Sequence, residues 1–178
     1  DARVNISNSK VSIINQNKPG DAGQWLLADH VNLNAPSVKV NGPNISAKLN
    51  NFSFITERWG KKHIVDTFST ELSLTKEILS LKDLTLNIYH SLLQGDLKFN
   101  LNKETGWSDF SNKVAWDMDI DLGSELSGYD ISYFVTNWDN YKPFKLAGKM
   151  DGPLNNFTLQ NFLLGNSQVN IQADKMDL

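Results

Sequence analysis

Cysteine is absent from the 178 residues, which excludes a disulfide framework, a thiolate zinc site and a cysteine nucleophile. Arginine is nearly absent: Arg3 and Arg58 are the only two. Bidentate recognition of phosphates and base edges leans on arginine, and the lysines are scattered rather than massed, so nucleic acid is not expected as a partner. A net charge of −3 is too small to steer the chain towards polyanions or an anionic membrane. No apolar run approaches the ~20 residues of a spanning helix. No Gly-x-Ser-x-Gly elbow, phosphate loop or dinucleotide fingerprint occurs. The chain opens at Asp1 without a leader and runs out mid-pattern after Val169 to Ala173, so a fragment of a longer protein is expected.

The composition, 40% apolar, is that of a folded chain. Its dominant signal is period-2 alternation, the mark of strands with one wet and one dry face. Val114-Ala115-Trp116-Asp117-Met118-Asp119-Ile120-Asp121-Leu122 is the clearest case. Similar runs are Ile45 to Leu49, Leu84 to Ile88, Leu97 to Leu101 and Val169 to Ile171. Turn residues punctuate them at 18–21, 41–44, 94–96, 151–153 and 165–167. This spacing predicts strands of ~5–9 residues in a meander or solenoid. Ser127 to Phe134 reads as a short helix, capped by Ser127 or Asp130. Lys76 to Leu81 reads as a turn or an edge strand. Leu49-Asn50-Asn51-Phe52-Ser53-Phe54, Leu81-Lys82-Asp83-Leu84-Thr85-Leu86 and Leu154-Asn155-Asn156-Phe157-Thr158-Leu159 share one shape, which reads as a hairpin unit reused.

Candidates for chemistry are few. His30, His63 and His90 have no partners at metal-ligand spacing and read as surface or loop residues. Asp117-x-Asp119-x-Asp121 begins like a calcium loop, but Leu122 and Gly128 stand where such a loop needs Gly and Glu, so a solvated acidic strand face is expected. No pair of carboxylates is singled out for glycoside hydrolysis. Four glycan-acceptor tripeptides, at Asn5, Asn44, Asn51 and Asn156, are what an Asn-rich alternating sequence produces by chance. Trp59, Trp107 and Trp138 sit near turns and read either as strand-end packing or as a sugar-stacking or membrane-interface surface. Neither catalysis nor a cofactor nor a metal is expected.

In the C-terminal half the pattern becomes more specific. Asp130-Ile131-Ser132-Tyr133-Phe134 is followed by Phe144-Lys145-Leu146-Ala147-Gly148-Lys149-Met150-Asp151-Gly152-Pro153-Leu154-Asn155-Asn156-Phe157, then by Asn161 to Ile171. This stretch, Leu122 to Leu178, resembles the TamB and AsmA-like family of translocation and assembly module proteins. Leu81 to Leu101 repeats its later half, and the first seventy residues share only the strand texture. The resemblance implies an all-β fold: an elongated, curled antiparallel or mixed sheet of the β-taco kind, with an apolar concave face and at most one or two short helices. Residues 1–178 would be a single β-rich piece of a periplasmic body, with a weak sub-boundary near 70–80. That body would be anchored in the inner membrane of a Gram-negative bacterium. It would carry phospholipid acyl chains or unfolded outer-membrane protein, with a TamA-like outer-membrane barrel as partner. Candidate groove residues are Leu97, Phe99, Leu101, Trp116, Met118, Ile120, Phe157, Leu159, Val169 and Ile171, each of which also fits a plain dry core. Two other readings stay open: a β-solenoid or sandwich binding polysaccharide or a protein partner, and a carbohydrate-active enzyme on a β-helix.

Overall fold

The computed structural model describes residues 1–17, 24–58, 61–101, 106, 109–134 and 142–178. Ten strands follow one another in chain order. They are β1 (Ala2–Ile14), β2 (Gln24–Asn41), β3 (Asn44–Arg58), β4 (Lys61–Leu74), β5 (Ile78–Ile88), β6 (Ser91–Asn100), β7 (Ala115–Leu126), β8 (Phe144–Gly152), β9 (Thr158–Gly165) and β10 (Asn170–Asp177). Each pairs antiparallel with the next, giving one open sheet in the order β1 to β10. Two short helices flank β7 in sequence, α1 (Phe110–Lys113) and α2 (Gly128–Phe134). The sheet runs unbroken through residues 70–80, where Leu74 pairs with Leu79. No helix among the described residues is long and apolar enough to cross a membrane.

The strands are longer than their turn residues imply, from 8 residues in β9 and β10 to 18 in β2. One expected break, at 94–96, lies inside a strand instead of ending it. Gly95 belongs to the middle of β6, with φ 136°, and a Cβ there would sit 2.0 Å from the carbonyl oxygen of Asp119. It lets β6 and β7 approach closely; it does not turn the chain. Pro36 is accommodated inside β2, at a register shift against β1. The expected hairpin at Asn41–Asn44 forms, with Gly42 at φ 58°. The expected turns after Gly152 and Gly165 form as well. Thr75 to Glu77 is the turn into β5, with Thr75 Oγ1 accepting from the N–H of Ile78 at 3.0 Å. The turn expected at 18–21 lies outside the described residues.

The repeated Leu-x-x-apolar-x-apolar shape is a bulge rather than a hairpin unit. From Leu49 to Phe52, β3 advances three residues while β4 advances two. From Leu81 to Leu84, β5 does the same against β6. In β9 the extra residue falls between Gln160 and Leu163, opposite Ala147 to Lys149 of β8. The third copy, at Leu154, is instead the turn leading to β9. Strict alternation would flip every later side chain to the other face. One inserted residue restores the original face, so apolar residues spaced by three stay together across the break. Asp83 and Asn161 take the left-handed conformation at two of these sites, as do Asn8 and His30 at register shifts of β1 and β2, with φ between 44° and 52°.

Substantial contacts join neighbouring strands, and α2 rests on β4. Among the described residues no second layer covers the sheet. Even so Ala35, Leu84 and Ile120 keep only 1%, 2% and 6% of their surface. Their cover comes from same-face neighbours, which requires the sheet to roll towards its apolar side; the bulges add the local twist that lets it do so.

Candidate functional site

Cross-strand register sorts the side chains into rows, since directly paired residues share a face. One row crosses all ten strands: Ala2, Val38, Ala47, Leu72, Leu81, Leu97, Met118, Met150, Leu159 and Met176. Every member is apolar. A second row runs Val40, Ile45, Leu74, Leu79, Phe99, Trp116. A third, on the far side of the bulges, runs Ile6, Leu33, Phe52, Phe68, Leu86, Leu93. With strands ~4.8 Å apart, the full row is about 43 Å long.

The opposite face is mostly polar, with Ile55, Ile64 and Leu92 as apolar exceptions. Lys39, Ser46, Ser73, Ser80, Lys98, Asp117, Asp151, Thr158 and Asp177 form one row. Asp117 and Asp119 are both used in cross-strand ion pairs, with Lys98 at 3.5 Å and Lys149 at 2.7 Å. The hydrogen bond and charge of Asp119 hold the Lys149 ammonium above its ordinary pKa. Asp121 stands exposed at the β7 bulge. Among the described residues no three or more His, Asp or Glu side chains gather as a metal site. The acidic run is a solvated strand face.

Most of the candidate groove residues lie on the apolar face. Leu97 pairs with Met118 and Phe99 with Trp116, while Ile120 lies opposite Gly95. Leu159 continues the long row in β9. Leu101 is buried just beyond β6, its N–H donating to the carbonyl of Glu77. Phe157 is half-buried at the entrance to β9, exchanging backbone hydrogen bonds with Leu178. Val169 and Ile171 differ. Val169 is in the turn before β10, donating its N–H to Asn166 Oδ1, and Ile171 is on the edge strand; both remain more than 40% exposed. Neither has a strand beyond it to cover its flank. Trp59, Trp107 and Trp138 fall outside the described residues.

The helices close off the strand-direction ends of this face around β7. At one end Phe110 of α1 joins an aromatic cluster with Phe99 and Trp116, its ring centroid 5.3 Å from that of Trp116. Phe99 and Trp116 themselves meet edge-to-face at 4.9 Å. At the other end α2 brings Asp130 down onto Ser91 and His63. Ser127 caps α2, its Oγ accepting from the N–H of Tyr129 at 3.2 Å and its carbonyl accepting from Ile131. His63 is 2% exposed and lies on the apolar face, not on the surface or in a loop. Burial lowers its pKa, and the nearby Asp130 offsets part of that shift. The sequence signal for this cluster was slight: Ser91 is a lone polar residue at an apolar position of β6, and only the tertiary structure brings Asp130 to it.

The class defined here is an open, single-layer antiparallel meander with one apolar face that no second layer covers among the described residues. Comparison with protein families, curated proteins and solved structures gives no match.

Proposed function

We propose that this chain is a segment of a non-enzymatic envelope scaffold that conducts lipid, with the role its resemblance to the TamB and AsmA-like family implies. It would act in the periplasm as part of an inner-membrane-anchored protein, moving phospholipid between membranes and assisting assembly of outer-membrane proteins with a TamA-like barrel. The observation that carries this reading is the unbroken apolar row across ten strands, with no second layer over it among the described residues. A dry face of that size normally acquires a second layer. Acyl chains are a fitting substitute. The row is longer than one acyl chain, since a bilayer core two chains thick is about 30 Å. Each buried methylene contributes about 0.8 kcal/mol, and each rung resembles the next, so a chain is held firmly but gains little by stopping at any one place. Sliding then requires no catalytic group. Headgroups stay in water at the open side, and the Lys, Asp, Ser and Asn rows keep the outer face wet.

Extraction and mass spectrometry of lipid from the purified chain tests this, together with photocrosslinking from positions 99 and 118. Phospholipid should co-purify and crosslink at both positions. Absence of lipid together with absence of crosslinks would overturn the conduit. The sandwich and solenoid alternatives lose their structural basis, because the strands form one antiparallel sheet instead of two packed sheets or stacked coils.

A further inference from the structure

β1 and β10 each have one neighbour in the sheet, and the edges they leave open differ. β10 is short, Asn170–Asp177, and carries Asp174, Lys175 and Asp177. Charge of that density is how open sheets keep other strands away. β1 runs for 13 residues, Ala2–Ile14, with Arg3 and Lys10 as its charges and no proline. Both cations lie on the polar face, Lys10 held there by Asp29 at 3.2 Å. The apolar side of this edge is therefore unguarded, and at its end Ile13 and Ile14 stay 47% and 60% exposed.

The bulge in β1 makes the strand complementary to itself. From Ile6 to Ser9 it advances three residues while β2 advances two, and Asn8 takes φ 44°. The apolar face thereby passes from even to odd numbers: Ala2, Val4 and Ile6 before the bulge, Ser9, Val11 and Ile13 after it. A second β1 turned about a two-fold axis presents those residues in the reverse order. With the two bulges opposite each other, Ala2 meets the partner's Ile13, Val4 the partner's Val11 and Ile6 the partner's Ser9. On the polar face Arg3 meets the partner's Ser12 and Asn5 the partner's Lys10, so no like charges oppose each other. A slip of one residue would set Ile6 against the partner's Lys10. The same matching of bulges occurs inside the molecule. β9 is bulged against β8 between Gln160 and Leu163. β10 follows it residue for residue, with Met176 opposite Leu159, Lys175 opposite Gln160 and Ala173 opposite Phe162.

We propose that β1 is a homodimer interface, where two copies join edge to edge and antiparallel about a two-fold axis between Ser7 and Asn8. The axis stands perpendicular to the sheet, so both apolar faces lie on the same side and run together. The contact is isologous and closes at two copies, because each copy has one β1. The guarded β10 becomes the outer edge on both sides. The dimer does not rest on what the trough carries.

Sedimentation of the intact chain over a range of concentrations tests the dimer, with a shift from monomer to dimer and nothing larger expected. Hydrogen exchange reads the same event. The β1 amides, fast like those of β10 in the dilute monomer, should gain protection as concentration rises, and those of β10 should not. Cysteine, absent from the chain, reads the register. Arg3→Cys/Ser12→Cys should be captured as a covalent dimer by a short bismaleimide, both positions being exposed. Arg3→Cys alone should not be captured, because the two copies of position 3 stand about 30 Å apart along the strands. Ile13→Lys charges the apolar side of the edge and should weaken the dimer about tenfold or more while the unfolding midpoint stays near wild type. Should that variant not fold, the paired and single cysteine variants decide. A chain that stays monomeric throughout, equal capture of the single cysteine variant, or an undiminished dimer in folded Ile13→Lys overturns the proposal. Higher oligomers overturn it too, since they would place β10 in the contact.

Discussion

At Gly95 the absence of a side chain decides whether two strands can meet. Its φ of 136° is one that L residues rarely adopt, and the space a Cβ would take holds the backbone of Asp119 and Ile120. Gly95→Ala should therefore cost about 3 kcal/mol or more, read as a fall in the denaturant midpoint. Met118 poses the opposite question, because it is half-buried on the long apolar row and touches open trough. Met118→Asp should destabilise the fold by about 1–2 kcal/mol while stripping co-purified lipid from the chain. Retention of lipid by a folded Met118→Asp protein would count against the trough as the lipid site.

At the scale of the element, the bulges keep the faces sorted. In β5, Asp83 takes φ 50°, and its N–H donates to Asp96 Oδ1 of β6 at 2.8 Å. Asp and Asn tolerate this conformation, glycine adopts it freely and β-branched residues resist it. Asp83→Gly should leave stability nearly unchanged, and Asp83→Val should lower it by about 1–2 kcal/mol, measured by chemical denaturation. Deleting Asp83 has a different consequence: Leu84, Leu86 and Ile88 would rotate to the polar face or drag the register of β5 with them. Loss of cooperative unfolding in that deletion, against a clean transition in Asp83→Gly, distinguishes register from local strain.

At the scale of the molecule, stability is nearly one-dimensional, because each strand leans on its immediate neighbours. Hydrogen exchange should be fastest in β1 and β10, which lack a neighbour on one side, and slowest in β4 to β7. His63 adds a pH dependence to the whole. Its folded pKa lies below the ordinary 6.5, so the unfolded chain binds the extra proton more readily. Stability is complete above pH 6.5 and declines as pH falls from there towards the folded value. Thermal midpoints between pH 7.5 and 5.5 should show that decline in the wild type and a smaller one in His63→Gln.

The alternation of Trp116, Met118 and Ile120 with Asp117 and Asp119 by itself determined which side of β7 is dry, since side chains in a strand can only point two ways. The short helix at 128–134 was equally local, set by a serine cap ahead of an apolar face. Bulges were visible as a three-residue spacing but were not decipherable as bulges: an extra residue has meaning only against the partner strand that lacks it. For the same reason the strands are longer than the turn residues imply, and the Gly95 turn expected from sequence lies inside β6. The roll of the sheet and the meeting of His63, Ser91 and Asp130 were decided by tertiary structure alone. The cluster joins residues 28 to 67 positions apart, and no local preference records a contact made only after the four strands β4 to β7 have found their register.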